Sequence, residues 1–199
     1  MFRNIGCTGG IACGKSQVQR MLEARGIPVL DTDRVAHQVM EPGSGVFDRI
    51  VQQFGCGILQ EGQIHRPSLG RIVFSDEAQL KRLNQLVHPE VARRWRAWQS
   101  EQSGLNVVVI PLLFEVGVSE HFDGILCISA TEALMRERLR SRGLSEESVE
   151  QRMAAQWPVA DKMKRSTWNV RNNQSLTHLE QQVEDWLKLI QPEQGNVDV

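Results

Sequence analysis

The sequence lacks the marks of several large functional classes. No apolar run is long enough to cross a bilayer, so no membrane partner is expected. No basic stretch leading into an apolar segment and a cleavage site stands at the N-terminus, where a glycine-rich motif begins almost at once, so the expected location is the cytoplasm. Positive charge is not in excess: 23 Lys and Arg against 24 Asp and Glu leave a net charge of -1, which argues against a broad basic surface for nucleic acid. Any bound anion is expected to be small. The four cysteines, Cys7, Cys13, Cys56 and Cys127, form no C-x-x-C pair and no zinc spacing, so reduced thiols without a structural role are expected. No internal repeat is present. With 41% hydrophobic residues in 199, the chain can bury a real core, and its length suits one domain carrying insertions.

What the chain does have begins at "NIGCTGGIACGKSQ", where Gly9, Gly14, Lys15 and Ser16 fit G-x-x-x-x-G-K-[ST]. The glycines let successive backbone N–H groups turn toward nucleotide phosphates, assisted by the positive end of the following helix. Lys15 is expected to bridge the β- and γ-phosphates and the Ser16 hydroxyl to bind Mg²⁺, which makes ATP with Mg²⁺ the expected cofactor pair. "FRNIGCT" reads as a strand before this loop and "KSQVQRMLEARG" as a helix after it.

Three further strands are expected: "IPVLDTD" (27–33), "NVVVIPLLFE" (106–115) and "GILCIS" (124–129). Helical patterns between them give an α/β class with a three-layer, doubly wound parallel sheet. Residues 34–103 read as a helical subdomain, and 131–165 as a basic helical pair, broken at "RGLS" and capped by Ser145, that suits a closing lid. The core is expected in 1–33, 104–130 and 166–190, with a frayed tail over 191–199.

Where the phosphoryl group goes is narrowed by further absences. A guanine-reading Asn-Lys-x-Asp is missing, and Pro111 stands where a motor or transporter ATPase would place an acid after its hydrophobic strand. The acids follow the second strand instead. In extended chain Asp31 and Asp33 point to opposite faces, so one of them can aim at a reacting centre. Asp33 is expected to orient an acceptor hydroxyl and take its proton, or alternatively to cap the helix that starts there. Cys13, beside a helix N-terminus and Lys15, is expected to be the most reactive thiol and shielded by ATP; the alternative is a buried, inert residue.

Taken in order, "CTGGIACGKS", "DTD…AH" (31–37), "QQFG" (52–55), "HP" (88–89), "PLLFE" (111–115), "RLRSRGLS" (138–145) and "QRMAAQWP" (151–158) resemble the pattern of dephospho-coenzyme A kinases from Ile5 to about Val183. The resemblance implies transfer of the γ-phosphoryl of ATP to the ribose 3′-hydroxyl of dephospho-coenzyme A. It implies a loop of Gly9, Gly10, Ile11, Ala12, Cys13, Gly14, Lys15, Ser16 and Gln17 on ATP, Asp33 as base, and His88, Pro111, Leu112, Leu113 and Glu115 at the acceptor. Arg138 and Arg142 would neutralise the transferring phosphoryl, and Asn172 would lie by the nucleotide.

Read without the resemblance, Glu115 would only end a strand, His88 would be a helix-terminal residue, the arginines would be a solvated face, and Leu112, Leu113 and Phe114 would pack. Trp95 and Trp98 read as a helix packing face. Ala12 replaces a glycine common in the family, so a negative φ is expected there. Gln17 replaces a threonine, leaving Ser16 as the one Mg²⁺ ligand, and "STWNVRNNQS" keeps Asn172 but lacks the family's acid and glycine. Two other readings remain open: another small-molecule or nucleoside monophosphate kinase, and a non-catalytic ATP-dependent switch.

Overall fold

The computed structural model describes residues 2–191. From the N-terminus run β1 (Asn4–Gly9), the glycine-rich loop, α1 (Lys15–Glu23) and β2 (Val29–Asp31). Then come α2 (Thr32–Val39), α3 (Gly45–Phe54), the hairpin β3 (Leu59–Gln60) and β4 (Gln63–Ile64), α4 (Arg66–Phe74) and α5 (Glu77–Ser100). The chain closes with β5 (Asn106–Val109), β6 (Gly124–Ser129), α6 (Glu132–Arg140), α7 (Glu146–Ala154), α8 (Val159–Arg165), β7 (Trp168–Arg171) and α9 (Leu176–Ile190). Two compact units result, one from the described residues up to Leu30 and from Gln102 onward, the other from Asp31–Glu101. Apart from Gln191, the expected frayed tail lies outside the described residues.

The first unit is built on a five-stranded sheet in the order β2-β5-β1-β6-β7, with β1 parallel to both β5 and β6, and β6 parallel to β7. Its central strands are buried on both faces because both faces are covered. On one face Ile5, Cys7, Val107, Val109, Leu126, Ile128 and Val170 pack with Val18, Met21 and Leu22 of α1 and the stripe Leu179, Val183, Trp186 and Ile190 of α9. Spacings of four, three and four put that stripe on one helical face. The other face is covered by α8, which packs on β1 and β6, and by the turn after β5. A side chain at Gly6 would come within 2.7 Å of Leu113 Cδ1, so glycine lets this turn approach the sheet. Each buried valine of the run Val107–Val109 stabilises the sheet by roughly 1.5–3 kcal/mol. The class is therefore the expected α/β sheet in three layers.

Strand ends differ from expectation. The second strand stops at Asp31 because Thr32 already opens α2. The third stops at Val109, since Pro111 has no N–H for a ladder and 111–117 turns away. β7 was not expected as a strand: only Val170 of its four residues is buried, so its apolar signal is weak.

In the second unit α2, α3 and α4 pack on the 24-residue α5 through a buried stripe of Val87, Val91 and Trp95. Asp76 caps α5 by accepting from the Ala78 and Gln79 amides at 2.8 and 3.3 Å. Pro89 lies inside this helix, so His88 is a mid-helix residue and not helix-terminal. Packing along the stripe outweighs the hydrogen bond that proline removes.

Candidate active site

The loop between β1 and α1 is shaped by three residues. Gly9 has φ 149° and lies so close to β6 that a Cβ would meet the Ile128 carbonyl at 2.1 Å. Gly14, at φ 98°, is the N-cap of α1, which has neither a side-chain cap nor an acid in its first turn. The positive end of α1 is thus left for an external anion. Between them Ala12 takes φ 57°, contrary to the negative φ expected. Closing the loop at two glycines forces alanine into the left-handed region, at a cost of about 1–2 kcal/mol. The methyl offsets part of that by packing with Leu139 of α6 and Val149 of α7.

Two side chains brace the loop from outside. Asn172 Nδ2 donates to the Cys13 carbonyl at 3.0 Å, and Arg138 donates to the Ala12 and Asn172 carbonyls at 3.2 and 3.0 Å. Because N–H and C=O of one peptide plane point oppositely, holding the Cys13 carbonyl outward turns the Gly14 N–H inward. Lys15 Nζ folds back on the Gly9 and Gly10 carbonyls at 3.0 and 2.8 Å. Ser16 is exposed in the first turn of α1.

Residues 131–165 form three helices where a pair was expected, because "QWP" interrupts the helix before α8, and α6 and α7 are held together by charge. Arg136 pairs with Glu132, Glu146 and Glu150, and Arg140 reaches Glu146 with two bonds of 2.7 and 2.8 Å. Ser145 caps α7 by accepting from the Ser148 amide at 3.3 Å. Arg142 is exposed on the turn after α6 and makes no side-chain hydrogen bond or ion pair among the described residues. A cavity of about 510 Å³ opens between Gly10, Ile11 and helices α6, α7 and α8.

The turn after β5 carries the "PLLFE" residues. Lys162 of α8 has no exposed surface, and its Nζ lies 2.7 Å from both the Pro111 carbonyl and Glu115 Oε1. Thr8 Oγ1 donates to the same Pro111 carbonyl at 3.2 Å, and the Trp157 amide donates to Glu115 Oε1 at 2.9 Å. The Trp157 ring stacks on Phe114 with centroids 6.3 Å apart, and the Arg165 guanidinium lies 4.9 Å from its centroid.

The family model for dephospho-CoA kinase matches residues 3–178 of this chain. The chain belongs to the dephospho-CoA kinase family. It is 44% identical to the dephospho-CoA kinase of Geobacillus kaustophilus, over 87% of this chain and 89% of that one. Among solved structures it is similar to a Thermus thermophilus protein at 37% identity and TM-score 0.80, covering 94% of this chain and 97% of the other. It is also similar to the dephospho-CoA kinase of Campylobacter jejuni, at 25% identity and TM-score 0.72, covering 96% and 98%.

Against that family pattern several expectations change. Cys13 is not the reactive thiol: it has no exposed surface, and its Sγ lies 3.3 Å from Met135 Sδ. Burial raises its pKa, against the opposing pull of Lys15, so the thiol stays protonated. Cys56 is the exposed cysteine. Asp31 and Asp33 do not alternate on a strand. Asp31 is the cap of α2, accepting from the Asp33 amide at 2.9 Å, and Asp33 stands in the helix's first turn. Leu113 is fully buried against Gly6, so its side chain has no surface to offer an acceptor, whereas Pro111, Leu112 and Glu115 are half-buried. His88 lies exposed on α5.

Lys162 is the residue the sequence did not single out. In "DKMKR" three basic residues stand within four positions, and only burial separates this one from its neighbours. Among the described residues no three His, Cys, Asp or Glu side chains gather to hold a metal, and no helix is long and apolar enough to cross a membrane.

Proposed function

We propose that the chain phosphorylates the ribose 3′-hydroxyl of dephospho-coenzyme A with ATP, giving coenzyme A and ADP, the last step of coenzyme A synthesis. The observation that carries this reading is a braced phosphate loop at the uncapped start of α1 in a chain that matches the dephospho-CoA kinase family over residues 3–178. Gly9 to Gln17 cradle the β- and γ-phosphates through their amides, with Asn172 setting the Gly14 amide. Lys15 exchanges the Gly9 and Gly10 carbonyls for phosphate oxygens.

Asp33 accepts the proton of the acceptor hydroxyl as its oxygen bonds to the γ-phosphorus and the bond to the β–γ bridging oxygen breaks, that electron pair leaving on ADP. What supports Asp33 over Asp31 is that Asp31 is committed to capping α2. Arg138 uses two guanidinium donors on carbonyls, which leaves others for the transferring phosphoryl, and Arg142 joins it when α6 and α7 close as a lid. Pro111, Leu112, Glu115 and His88 serve the acceptor. Mg²⁺ fits as an ion arriving with ATP, because the exposed Ser16 hydroxyl supplies one ligand and no acidic cluster exists among the described residues to hold it alone. Bound there, it neutralises phosphate charge. A cytoplasmic enzyme working on two small molecules, with neither nucleic acid nor membrane as partner, is part of the same reading.

The test is ADP release from MgATP with dephospho-coenzyme A, set against nucleoside monophosphates, shikimate and water. Turnover confined to dephospho-coenzyme A is expected, and Asp33→Asn should lose transfer while retaining ATP binding. Turnover with another acceptor alone would overturn the substrate assignment, and an Asp33→Asn enzyme of full activity would remove the proposed base.

A further inference from the structure

A fully buried lysine calls for a reason, because an apolar side chain of similar volume opposite a neutralised partner is commonly as stable or more so. Lys162 is at 0% exposure and joins three separate segments. Its ammonium and the Thr8 hydroxyl, one residue before the phosphate loop, both donate to the Pro111 carbonyl. The same ammonium pairs with Glu115, whose Oε1 also takes the Trp157 amide. A buried ion pair repays its desolvation when further hydrogen bonds satisfy the remaining lone pairs, yet Glu115 Oε2 is buried with no hydrogen-bond partner among the described residues. Such a costly arrangement is explained if what it fixes is geometry. Pinned at both ends by one cation, the turn from Pro111 to Glu115 is held at the carboxyl end of the central strands, where β1 enters the phosphate loop.

We propose that Lys162 is a positioning residue for phosphoryl transfer, holding the Pro111 carbonyl and the Glu115 carboxylate so that this turn presents the acceptor in line with the phosphate loop. The proposal rests on the reading above that the turn serves the acceptor. Lys162 itself touches no substrate in it. Its effect on rate passes through the turn, where a small displacement of a positioning group is enough to slow an in-line transfer.

Three variants of the full chain separate positioning from structure: Lys162→Met, Glu115→Gln, and both together. Lys162→Met alone leaves a buried carboxylate without its cation and should lower Tm by roughly 10 °C. Adding Glu115→Gln removes that charge, and Tm should return to within a few degrees of wild type. In the double variant kcat should still lie at least about tenfold below that of Glu115→Gln alone, with the KM for ATP within about twofold of wild type. A double variant that matches Glu115→Gln in kcat would overturn the proposal, since the lysine would then only neutralise a charge. Failure of the double variant to fold would also overturn it, by making Lys162 a requirement of the fold. Wild-type turnover with dephospho-coenzyme A is the control: if that is absent, the functional reading fails and this inference with it, whereas an active wild type beside an unaffected double variant sinks the inference alone.

Discussion

Ala12 is where two opposing energies can be weighed against one another. At φ 57° alanine carries a backbone cost of about 1–2 kcal/mol that glycine would escape. Against that, Ala12→Gly removes a buried methyl worth about 0.8 kcal/mol in its contact with Leu139 and Val149. It also loosens the unfolded chain, a further loss of about 0.4–1 kcal/mol. These contributions nearly cancel, so Ala12→Gly should shift Tm by less than about 3 °C in either direction for a chain of this size. Ala12→Val should behave differently. It keeps the left-handed backbone, which a β-branched residue tolerates poorly, and adds bulk to a closed cluster, for a combined loss of about 3 kcal/mol or more. Calorimetry or urea unfolding of the two variants beside wild type decides the matter. A Gly variant stabilised by more than about 1 kcal/mol would mean that the methyl contributes little or nothing by packing, and a Val variant of wild-type stability would refute the left-handed assignment.

Other outcomes follow from the same geometry. Brief treatment of the native chain with a small alkylating reagent should modify Cys56 alone, with all four cysteines reacting after denaturation; mass spectrometry of the peptides reads this, and early labelling of Cys13 would contradict its burial. Asn172→Ala loses the bond to the Cys13 carbonyl and with it about 1–2 kcal/mol, and the KM for ATP should rise several-fold as the Gly14 amide is no longer held; an unchanged KM would count against the brace. Burial pushes the Cys127 thiol up to about 11. Because the unfolded thiol ionises first, stability from this group is complete below its ordinary value and declines as pH rises through about 11, so Cys127→Ala should flatten the alkaline fall in unfolding free energy; parallel curves for the two proteins would refute the assignment.

The sequence made some of this legible for physical reasons and hid the rest for equally physical ones. β6 could be read residue for residue because all six positions are buried, and an unbroken apolar run has few other uses. The strand, loop and helix at the N-terminus were legible because glycine spacing and a lysine fix that turn. The second strand, expected through Asp33, ends two residues earlier at Asp31. A strand and a capped helix both tolerate "DTD", and the choice lies in whether Thr32 starts the helix, as it does behind the Asp31 cap. Ala12 was misread because sequence reveals the residue's preference and not the constraint imposed by Gly9 and Gly14 on either side. The thiol of Cys13 followed the same course: proximity to Lys15 along the chain is visible, while the direction of the side chain toward Met135 depends on α6, more than a hundred residues later.

The stacked pair of Phe114 and Trp157 has an optical consequence. The chain contains no tyrosine and five tryptophans, so its ultraviolet emission belongs to indoles alone. Trp157 sits between α7 and α8, with an aromatic neighbour from the turn after β5 and a guanidinium near its ring, while Trp95, Trp168 and Trp186 are wholly or partly enclosed in packing. A movement of α6 and α7 away from that turn would change the polarity around this indole and leave those three nearly as they were. The protein therefore carries a built-in fluorophore at the joint that nucleotide binding is expected to work, and its motions can be timed without attaching a dye.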